Sequence, residues 1–359
     1  MNDISKFDPH LAVKDAIGKN DIVLLDPREE PFTLYGVYYK DGVYRRIPMD
    51  VAEKVNDGVR ELSMNTAGGR IAFKTNSPYV ALSCKRPSCG RMPHMALTGS
   101  AGFCLFTREK DGYDYYGTFV PTNSMAGYES VLDFPDAKER EVIIYFPLYC
   151  PISECMIGIQ KDAVVEKWSG YTYEKPIVFY GSSITQGGCA STSGTDYISR
   201  LSRRFDANYI NLGFSGSAKA EDAMLDYLKG LDMSIFVYDY DHNAPSVEHL
   251  EKTHYKGYRV IRDAHPELPI VLASRPAYDT LRAEKAHERH DIVKRSYEKA
   301  LSEGDQNVYF VDFAKECPRF FRDCFAVDGT HPTDLGFYFM AEAFGKEIEK
   351  ILAKKENII

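Results

Sequence analysis

The sequence predicts two domains of different class: an antiparallel β-sandwich over residues 1–172, then an α/β domain over 173–359 built on a doubly wound parallel sheet of five strands. At 359 residues the chain exceeds what one hydrophobic core usually holds. Before Trp168, short aromatic and β-branched runs alternate with turn signals, which is typical of antiparallel sheets. After Lys175-Pro176, unbroken apolar runs alternate with helical periods, which indicates parallel strands joined by helices.

The first domain is predicted to consist of short strands separated by turns such as Lys40-Asp41-Gly42 and Lys110-Asp111-Gly112. Few segments show a helical period, so we expect a jelly-roll-like sandwich with one short helix in the polar stretch 50–62. The predicted strands span 32–39, 43–47, 70–74, 79–84, 102–108, 113–120, 141–146 and 156–160.

The second domain follows a short linker at 170–174. Strand–helix alternation implies right-handed crossovers, and these place the carboxyl ends of all strands at one edge of the sheet, where function concentrates. The predicted strands span 177–180, 209–212, 235–238, 270–273 and 308–313, and the predicted helices span 196–205, 220–229, 246–263, 283–302 and 334–353.

The chain is acidic: 44 lysines and arginines against 52 aspartates and glutamates give a net charge of −8 and a pI near 5.7. Without a basic block, this balance argues against nucleic acid and anionic membranes as partners. No apolar run reaches the roughly 18 residues of a transmembrane helix. The first residues show no charged segment followed by an apolar stretch, so we expect no signal peptide and a cytoplasmic location.

Eight cysteines are spread along the chain without a CxxC pair. In a cytoplasmic protein we expect reduced, mostly buried thiols. Two pairs are five residues apart but lack nearby histidines, so a structural zinc site is not expected, and nothing in the sequence indicates a cofactor. The cysteines are Cys84, Cys89, Cys104, Cys150, Cys155, Cys189, Cys317 and Cys324.

The first strand of the α/β domain ends in the segment 180–187, which contains Ser183. A serine in a tight strand-to-helix turn can present its hydroxyl as a nucleophile, with neighbouring amides directed at the oxyanion that forms beside it. The plain alternative is a serine that caps the helix. The segment is not a G-x-S-x-G elbow, because no glycine stands two residues before Ser183.

Later strand ends supply complementary groups. Gly216 follows the second strand and can bring its N–H close to a ligand, and Asn243 follows the third and offers a neutral side-chain donor. Asp328 stands three residues before His331, ahead of the final helix. This spacing lets the carboxylate hold one ring nitrogen while the other accepts a serine proton.

The order of Ser183, Gly216, Asn243, Asp328 and His331 along the strand ends resembles that of the SGNH hydrolases, also called the GDSL esterase/lipase family. The resemblance spans roughly residues 175 to 355 and implies a flavodoxin-like sheet. It implies that Ser183 is the nucleophile, and that Asp328 and His331 are the acid and base. It also implies that the backbone of Ser183, Gly216 and the side chain of Asn243 form the oxyanion hole.

The sequence departs from the family pattern in two places. Ser182 stands where an aspartate usually precedes the nucleophile, and the segment 241–244 stands where the family usually has G-x-N-D. The context 180–191 resembles a subgroup with an N-terminal β-domain marked by a G-x-D-L-Y motif, of which 102–106 is a degenerate version. Two-domain enzymes of this kind are often carbohydrate esterases that remove acetyl groups from plant polysaccharide fragments.

The sequence therefore predicts a serine ester hydrolase acting on small acyl groups, with an acetylated oligosaccharide as its partner and an open oligomeric state. No long apolar loop suggests a lipase lid. Four residues near strand ends are candidates for the substrate pocket, although packing or solvation explains each equally well: Tyr180, His242, Arg275 and Tyr278. Three alternatives stay open: a lipid or thioester hydrolase, an acyltransferase, and a catalytically inactive carbohydrate-binding protein.

Overall fold

The computed structural model describes residues 4–13, 15–124, 126–276, 285–316 and 322–356. In its N-terminal half two antiparallel sheets face each other. One has four strands in the order β1-β11-β6-β9: β1 (Ile22–Leu25), β6 (Tyr79–Lys85), β9 (Gly127–Asp133) and β11 (Glu154–Gln160). Apolar side chains from both sheets, among them Phe73, Leu82 and Ile144, fill the space between them.

The second sheet has the order β12-β5-β10-β7-β8, and β2 also pairs with β5. Its strands are β2 (Thr33–Tyr35), β5 (Arg70–Thr75), β7 (Phe103–Glu109), β8 (Gly112–Phe119), β10 (Arg140–Tyr145) and β12 (Val165–Glu166). A separate hairpin joins β3 (Tyr38–Lys40) to β4 (Val43–Arg45) through the predicted Asp-Gly turn. The predicted antiparallel sandwich is therefore confirmed.

Short helices fill the gaps between these strands. The polar stretch predicted as one helix forms two, because Asn56 interrupts it and its side chain accepts a hydrogen bond from Val59 N at 2.9 Å, which starts a new helix. The helices of this half are α1 (Met49–Val55), α2 (Asp57–Leu62) and α3 (Leu97–Ser100), with 3₁₀ turns at Ile4–Lys6 and Pro9–Leu11.

The C-terminal half is built on a five-stranded, all-parallel sheet with the order β14-β13-β15-β16-β17. This is the flavodoxin-like order, in which the chain starts near the middle and winds both ways. The predicted fold class is confirmed. The strands are β13 (Tyr173–Gly181), β14 (Ala207–Gly213), β15 (Ile235–Asp239), β16 (Ile270–Ala273) and β17 (Val308–Val311).

Helices cover both faces of this sheet, so each strand is apolar on both sides. In β13, Ile177 and Phe179 belong to the core on one face, and Val178 and Tyr180 to the core on the other. None of the helices in the described part of the chain is both long and apolar enough to cross a bilayer. The helices are α4 (Ser183–Gln186), α5 (Tyr197–Phe205), α6 (Asp222–Leu228), α7 (Val247–Ala264), α8 (Ala286–Ser302), α9 (Phe313–Glu316), α10 (Arg322–Phe325) and α11 (Asp334–Glu356), with a 3₁₀ turn at Asp241–Asn243.

The two halves share a hydrophobic core, and the first half covers one edge of the parallel sheet. Trp168 and Tyr145 of the first half pack in the same buried cluster as Phe179 of the second. Two buried arginines of the first half cover the outer edge of β14: Arg70 donates to the Tyr209 carbonyl at 2.7 Å. Arg46 donates to the carbonyls of Asn211 at 3.2 Å and Gly213 at 2.7 Å. The edge that the parallel sheet would otherwise expose is thereby closed.

Candidate active site

The turn after β13 places two serines in different environments. Ser182 caps α4, and its Oγ accepts a hydrogen bond from Ile184 N at 3.1 Å. Ser183 is the first residue of the helix, and its Oγ lies 2.9 Å from Nε2 of His331. Ser182 is therefore a structural cap, while Ser183 is in hydrogen-bonding contact with a base.

His331 is held by the carboxylate three residues before it. Asp328 Oδ2 lies 2.7 Å from His331 Nδ1, and Asp328 Oδ1 accepts from the backbone N–H groups of Thr330 and His331 at 3.0 and 2.8 Å. A carboxylate can only accept, so Nδ1 carries the proton and the lone pair of Nε2 faces Ser183. Partial burial opposes ionisation, yet these hydrogen bonds and the charge of His331 lower the pKa of Asp328 to about 2.

Arg275 supports the turn that carries Asp328 and His331. Its Nη2 donates to the Gly329 carbonyl and to Thr330 Oγ1, each at 3.1 Å. Its backbone N–H donates to the Asp241 carboxylate at 3.1 Å. The structure thus shows Arg275 bonded to the turn that carries Asp328 and His331, whereas the sequence suggested the wall of a substrate pocket.

Three candidate hydrogen-bond donors for an oxyanion follow the carboxyl ends of the neighbouring strands β13, β14 and β15. The N–H of Ser183, at the first position of α4, and the N–H of Gly216, at φ +64°, have no acceptor within the described residues. Asn243 Nδ2 donates to the Phe214 carbonyl at 2.8 Å, which ties its amide to the turn that carries Gly216 and leaves its second N–H available. This arrangement suits an oxyanion hole.

Asp241 accepts a hydrogen bond from the Arg275 backbone, and its neighbour His242 lies close enough to His331 to be affected by its charge. Burial, with smaller contributions from the charges of Arg275 and His331, lowers the pKa of His242 to about 3, so this imidazole is neutral at physiological pH. Burial raises the pKa of Asp241 to about 6. Within the described residues, the histidine bonded to Ser183 is His331, and no hydrogen bond joins His242 to Ser183.

Tyr180 and Tyr278 are the other two residues that the sequence suggested for the substrate pocket. Tyr180 is completely buried in the core beneath the sheet, and its hydroxyl accepts a hydrogen bond from Ala220 N at 2.9 Å. It therefore stabilises the fold and does not reach a substrate, because its side chain is enclosed in the core on one face of the sheet. Tyr278 lies outside the described residues.

The first half of the chain adds residues to this region that local sequence patterns did not indicate. Tyr149 donates its hydroxyl proton to the Ser183 carbonyl at 3.1 Å. The His94 ring lies 5.7 Å from the His331 ring, centroid to centroid. Both belong to loops of the sandwich domain, and only the packing of the two halves brings them to the site.

Family models match both halves of the chain. The model of the GDSL-like lipase/acylhydrolase family matches residues 174–349. The model named GxDLY, the N-terminus of SGNH-hydrolase-type esterases, matches residues 22–165, which include the degenerate motif at 102–106. None of the curated proteins matches the chain.

Solved structures are similar over both domains. A protein of Bacteroides ovatus ATCC 8483 that bears the name GDSL-like lipase is 28% identical, with a TM-score of 0.83 over 92% of this chain and 98% of its own. The salicylyl-acyltransferase SsfX3 of a tetracycline biosynthetic pathway is 20% identical, with a TM-score of 0.75 over 93% and 98%. A family two carbohydrate esterase from Cellvibrio japonicus is 11% identical, with a TM-score of 0.57 over 92% and 98%. The last two structures show that the fold is shared.

Proposed function

The chain belongs to the GDSL-like lipase/acylhydrolase family through its C-terminal domain, and from that premise we propose that it is a serine esterase that removes acetyl or similarly small acyl groups from carbohydrate. The observation that carries the chemistry is the hydrogen-bonded series Ser183 Oγ, His331 and Asp328, at 2.9 and 2.7 Å. Such a series activates a hydroxyl that is otherwise a weak nucleophile.

The reaction follows from the positions of these groups. Ser183 Oγ attacks the ester carbonyl while His331 Nε2 takes its proton, and the charge of Asp328 stabilises the imidazolium that results. The N–H groups of Ser183 and Gly216 and the free N–H of Asn243 stabilise the tetrahedral oxyanion. His331 then protonates the leaving sugar oxygen. A water molecule, deprotonated by His331, releases the acyl group from Ser183 as a carboxylate.

The polarity of the surroundings supports a hydroxyl-rich substrate. His94 is exposed beside the His331 ring, and the half-buried His242 is close enough to His331 to be affected by its charge. Polar groups of this kind can hydrogen-bond to sugar hydroxyls but offer little apolar area for a long acyl chain. The arrangement of both domains is also shared with family two carbohydrate esterases such as that from Cellvibrio japonicus, which supports the proposal for this chain.

Acetate release tests the proposal directly. Acetylated xylo- and manno-oligosaccharides are incubated with the protein, and nitrophenyl esters of acetate and of a long fatty acid are measured in parallel. We expect acetate from at least one oligosaccharide and faster cleavage of the short nitrophenyl ester, with both activities lost in Ser183→Ala. An enzyme that cleaves nitrophenyl acetate but releases no acetate from any acetylated sugar would contradict the carbohydrate substrate.

A second candidate is acyl transfer, because the acyltransferase SsfX3 is structurally similar over 93% of the chain. The two functions use the same acyl-enzyme and differ in whether water or an alcohol attacks it. The partition is measured by adding an acceptor alcohol or free sugar and comparing the acyl product with free carboxylate. Hydrolysis predicts that carboxylate accounts for nearly all product, whereas a transferase would transfer most of the acyl group to the acceptor.

A further inference from the structure

Three side chains with metal-ligand chemistry converge beside the catalytic base. His94, Cys189 and His331 each offer one ligand atom, and these three atoms all lie within 4.8 Å of one another. We propose that Zn²⁺, or a cation of similar preference for nitrogen and sulfur, binds His94, Cys189 and His331 and thereby inhibits the hydrolase. This regulation is independent of which ester is the substrate.

The ligand set matches the cation. Imidazole nitrogen and thiolate sulfur are the usual ligands of Zn²⁺, at about 2.0 and 2.3 Å. Tetrahedral geometry then places ligand atoms about 3.5 Å apart, so a pair at the 4.8 Å limit needs a closing movement of about 1 Å. His94 is exposed on its loop and can supply that movement, whereas Cys189 is buried at 6% exposure and supplies a fixed ligand.

Access and charge also suit a cation. The side chain of His331 is 22% exposed and His94 is exposed, so solvent reaches both rings. On binding, the Cys189 thiol releases its proton to solvent and the sulfur forms a bond to the metal. The thiolate and the nearby Asp328 carboxylate then balance the two positive charges of Zn²⁺.

Inhibition follows from the tautomer of His331. Its Nδ1 proton is donated to Asp328, so the lone pair that a cation can use is that of Nε2. That same lone pair lies 2.9 Å from Ser183 Oγ. A metal on Nε2 breaks this hydrogen bond and removes the base, so the Ser183 hydroxyl is no longer activated.

The ligands are far apart in the sequence, and His94 comes from the sandwich domain while Cys189 and His331 come from the hydrolase domain. Spacing along the chain therefore could not indicate the site. The metal would join the two domains across the entrance to the catalytic serine.

Direct binding is tested with Co²⁺, which takes the place of Zn²⁺ and gives a thiolate charge-transfer absorption in the near ultraviolet. We expect this absorption in the full-length protein and in Cys324→Ser, which removes an exposed thiol, and its loss in Cys189→Ser. Absence of the absorption in the wild-type protein, or its persistence in Cys189→Ser, would overturn the proposal.

Inhibition is measured with nitrophenyl acetate as the ratio of rates with and without Zn²⁺, so that differences in basal activity cancel. His94→Ala and Cys189→Ser should each raise the half-inhibitory Zn²⁺ concentration at least tenfold, because even groups that only orient metal ligands contribute about 10- to 100-fold to affinity. Cys324→Ser should leave it unchanged, and a chelator should restore activity. Equal inhibition of the wild type and His94→Ala would place the metal elsewhere.

Calorimetric titration of Ser183→Ala with Zn²⁺ separates this site from the proposed reaction, since the variant has no nucleophile. Removing the hydroxyl frees His331 Nε2 from its hydrogen bond, so Zn²⁺ should bind at least as tightly as it binds the wild type. Loss of Zn²⁺ binding in Ser183→Ala would show that the cation is not held by the lone pair of His331.

Discussion

Ser182 and Ser183 are adjacent, yet their hydroxyl groups have different partners. Because only Ser183 contacts His331, at 2.9 Å, Ser183→Ala should lower kcat by roughly 10³-fold or more, as expected when one member of a catalytic triad is removed. The measurement is steady-state hydrolysis of nitrophenyl acetate by purified variants of confirmed fold.

Ser182→Ala is the matched control. It removes the cap that accepts from Ile184 N, which should cost about 1 kcal/mol of stability while leaving most of the activity. The reverse pattern, an inactive Ser182 variant beside an active Ser183 variant, would mean that the nucleophile had been assigned one residue too late.

At the residue scale, the sequence could predict the groups that are set by local turns. Asp328 and His331 are three residues apart, so one turn brings them together, and the order of strand ends brings them to Ser183. Tyr180 could not be placed in this way, because an apolar run does not show whether a residue near the strand end points into the core or towards the site. His94 reaches the site through packing between domains, which no local pattern encodes.

At the scale of elements, β13, α4 and β14 meet too closely for a side chain at Gly213. A Cβ there would lie 2.2 Å from the backbone nitrogen of Gln186, in the helix that begins at Ser183. Gly213→Ala should therefore shift α4, lower stability by about 1–3 kcal/mol and reduce kcat, because the nucleophile and its N–H lose their alignment.

Gly230→Ala is the comparison for this prediction. Its Cβ would meet nothing nearer than the Tyr227 carbonyl at 3.5 Å, which is an ordinary contact. Thermal unfolding and nitrophenyl acetate hydrolysis of the two variants should differ clearly. Equal behaviour would show that α4 can move away from β14 without affecting the site.

The elements themselves could largely be predicted, since each strand of the parallel sheet is an apolar run and each crossover has a helical period. Predicted and observed bounds agree well for α5, over Tyr197–Phe205, and for α7, over Val247–Ala264. The division of the sandwich strands between two sheets was not predictable, because β5 and β6 follow each other in sequence but belong to different sheets. The sheet that a strand joins depends on pairing with strands that are distant in the sequence.

At the scale of the whole molecule, a buried neutral histidine makes stability depend on pH. His254 is 1% exposed between α7 and α8, its Nδ1 lies 2.9 Å from Ser296 Oγ, and burial lowers its pKa to about 3. Unfolded, the residue titrates near 6.5. As pH falls, His254 is therefore protonated in the unfolded state before it is protonated in the folded state. The free energy of unfolding decreases as pH falls from about 6.5 towards 3.

In His254→Gln this proton uptake disappears. We measure the free energy of unfolding by denaturant titration between pH 6 and 4. It should fall less steeply with pH in the variant than in the wild type, and the two slopes should differ by up to about 1.4 kcal/mol per pH unit. The pKa of His242 is also lowered to about 3, so part of the slope should remain. Identical slopes in the two proteins would show that His254 does not contribute.

The hydrolase domain depends on its interface with the sandwich domain. The sandwich domain covers the outer edge of β14 through Arg46 and Arg70, and Trp168 packs into the core shared with the hydrolase domain. A chain of residues 173–359 alone would expose that apolar surface and the carbonyl groups of the β14 edge, which favours aggregation. We therefore expect the truncated chain to be insoluble or to unfold without cooperativity.

The contact of Tyr149 with the Ser183 carbonyl allows a test in the intact chain. Tyr149→Phe removes one hydrogen bond between the domains and keeps the ring, so it should cost about 1 kcal/mol of stability and lower turnover of nitrophenyl acetate and acetylated sugar to the same extent. An effect confined to sugars would instead indicate substrate contact. A soluble 173–359 fragment that unfolds cooperatively and retains full activity on both substrates would contradict the shared core, because the fragment would then need neither the edge cover nor the packing that the first 172 residues supply.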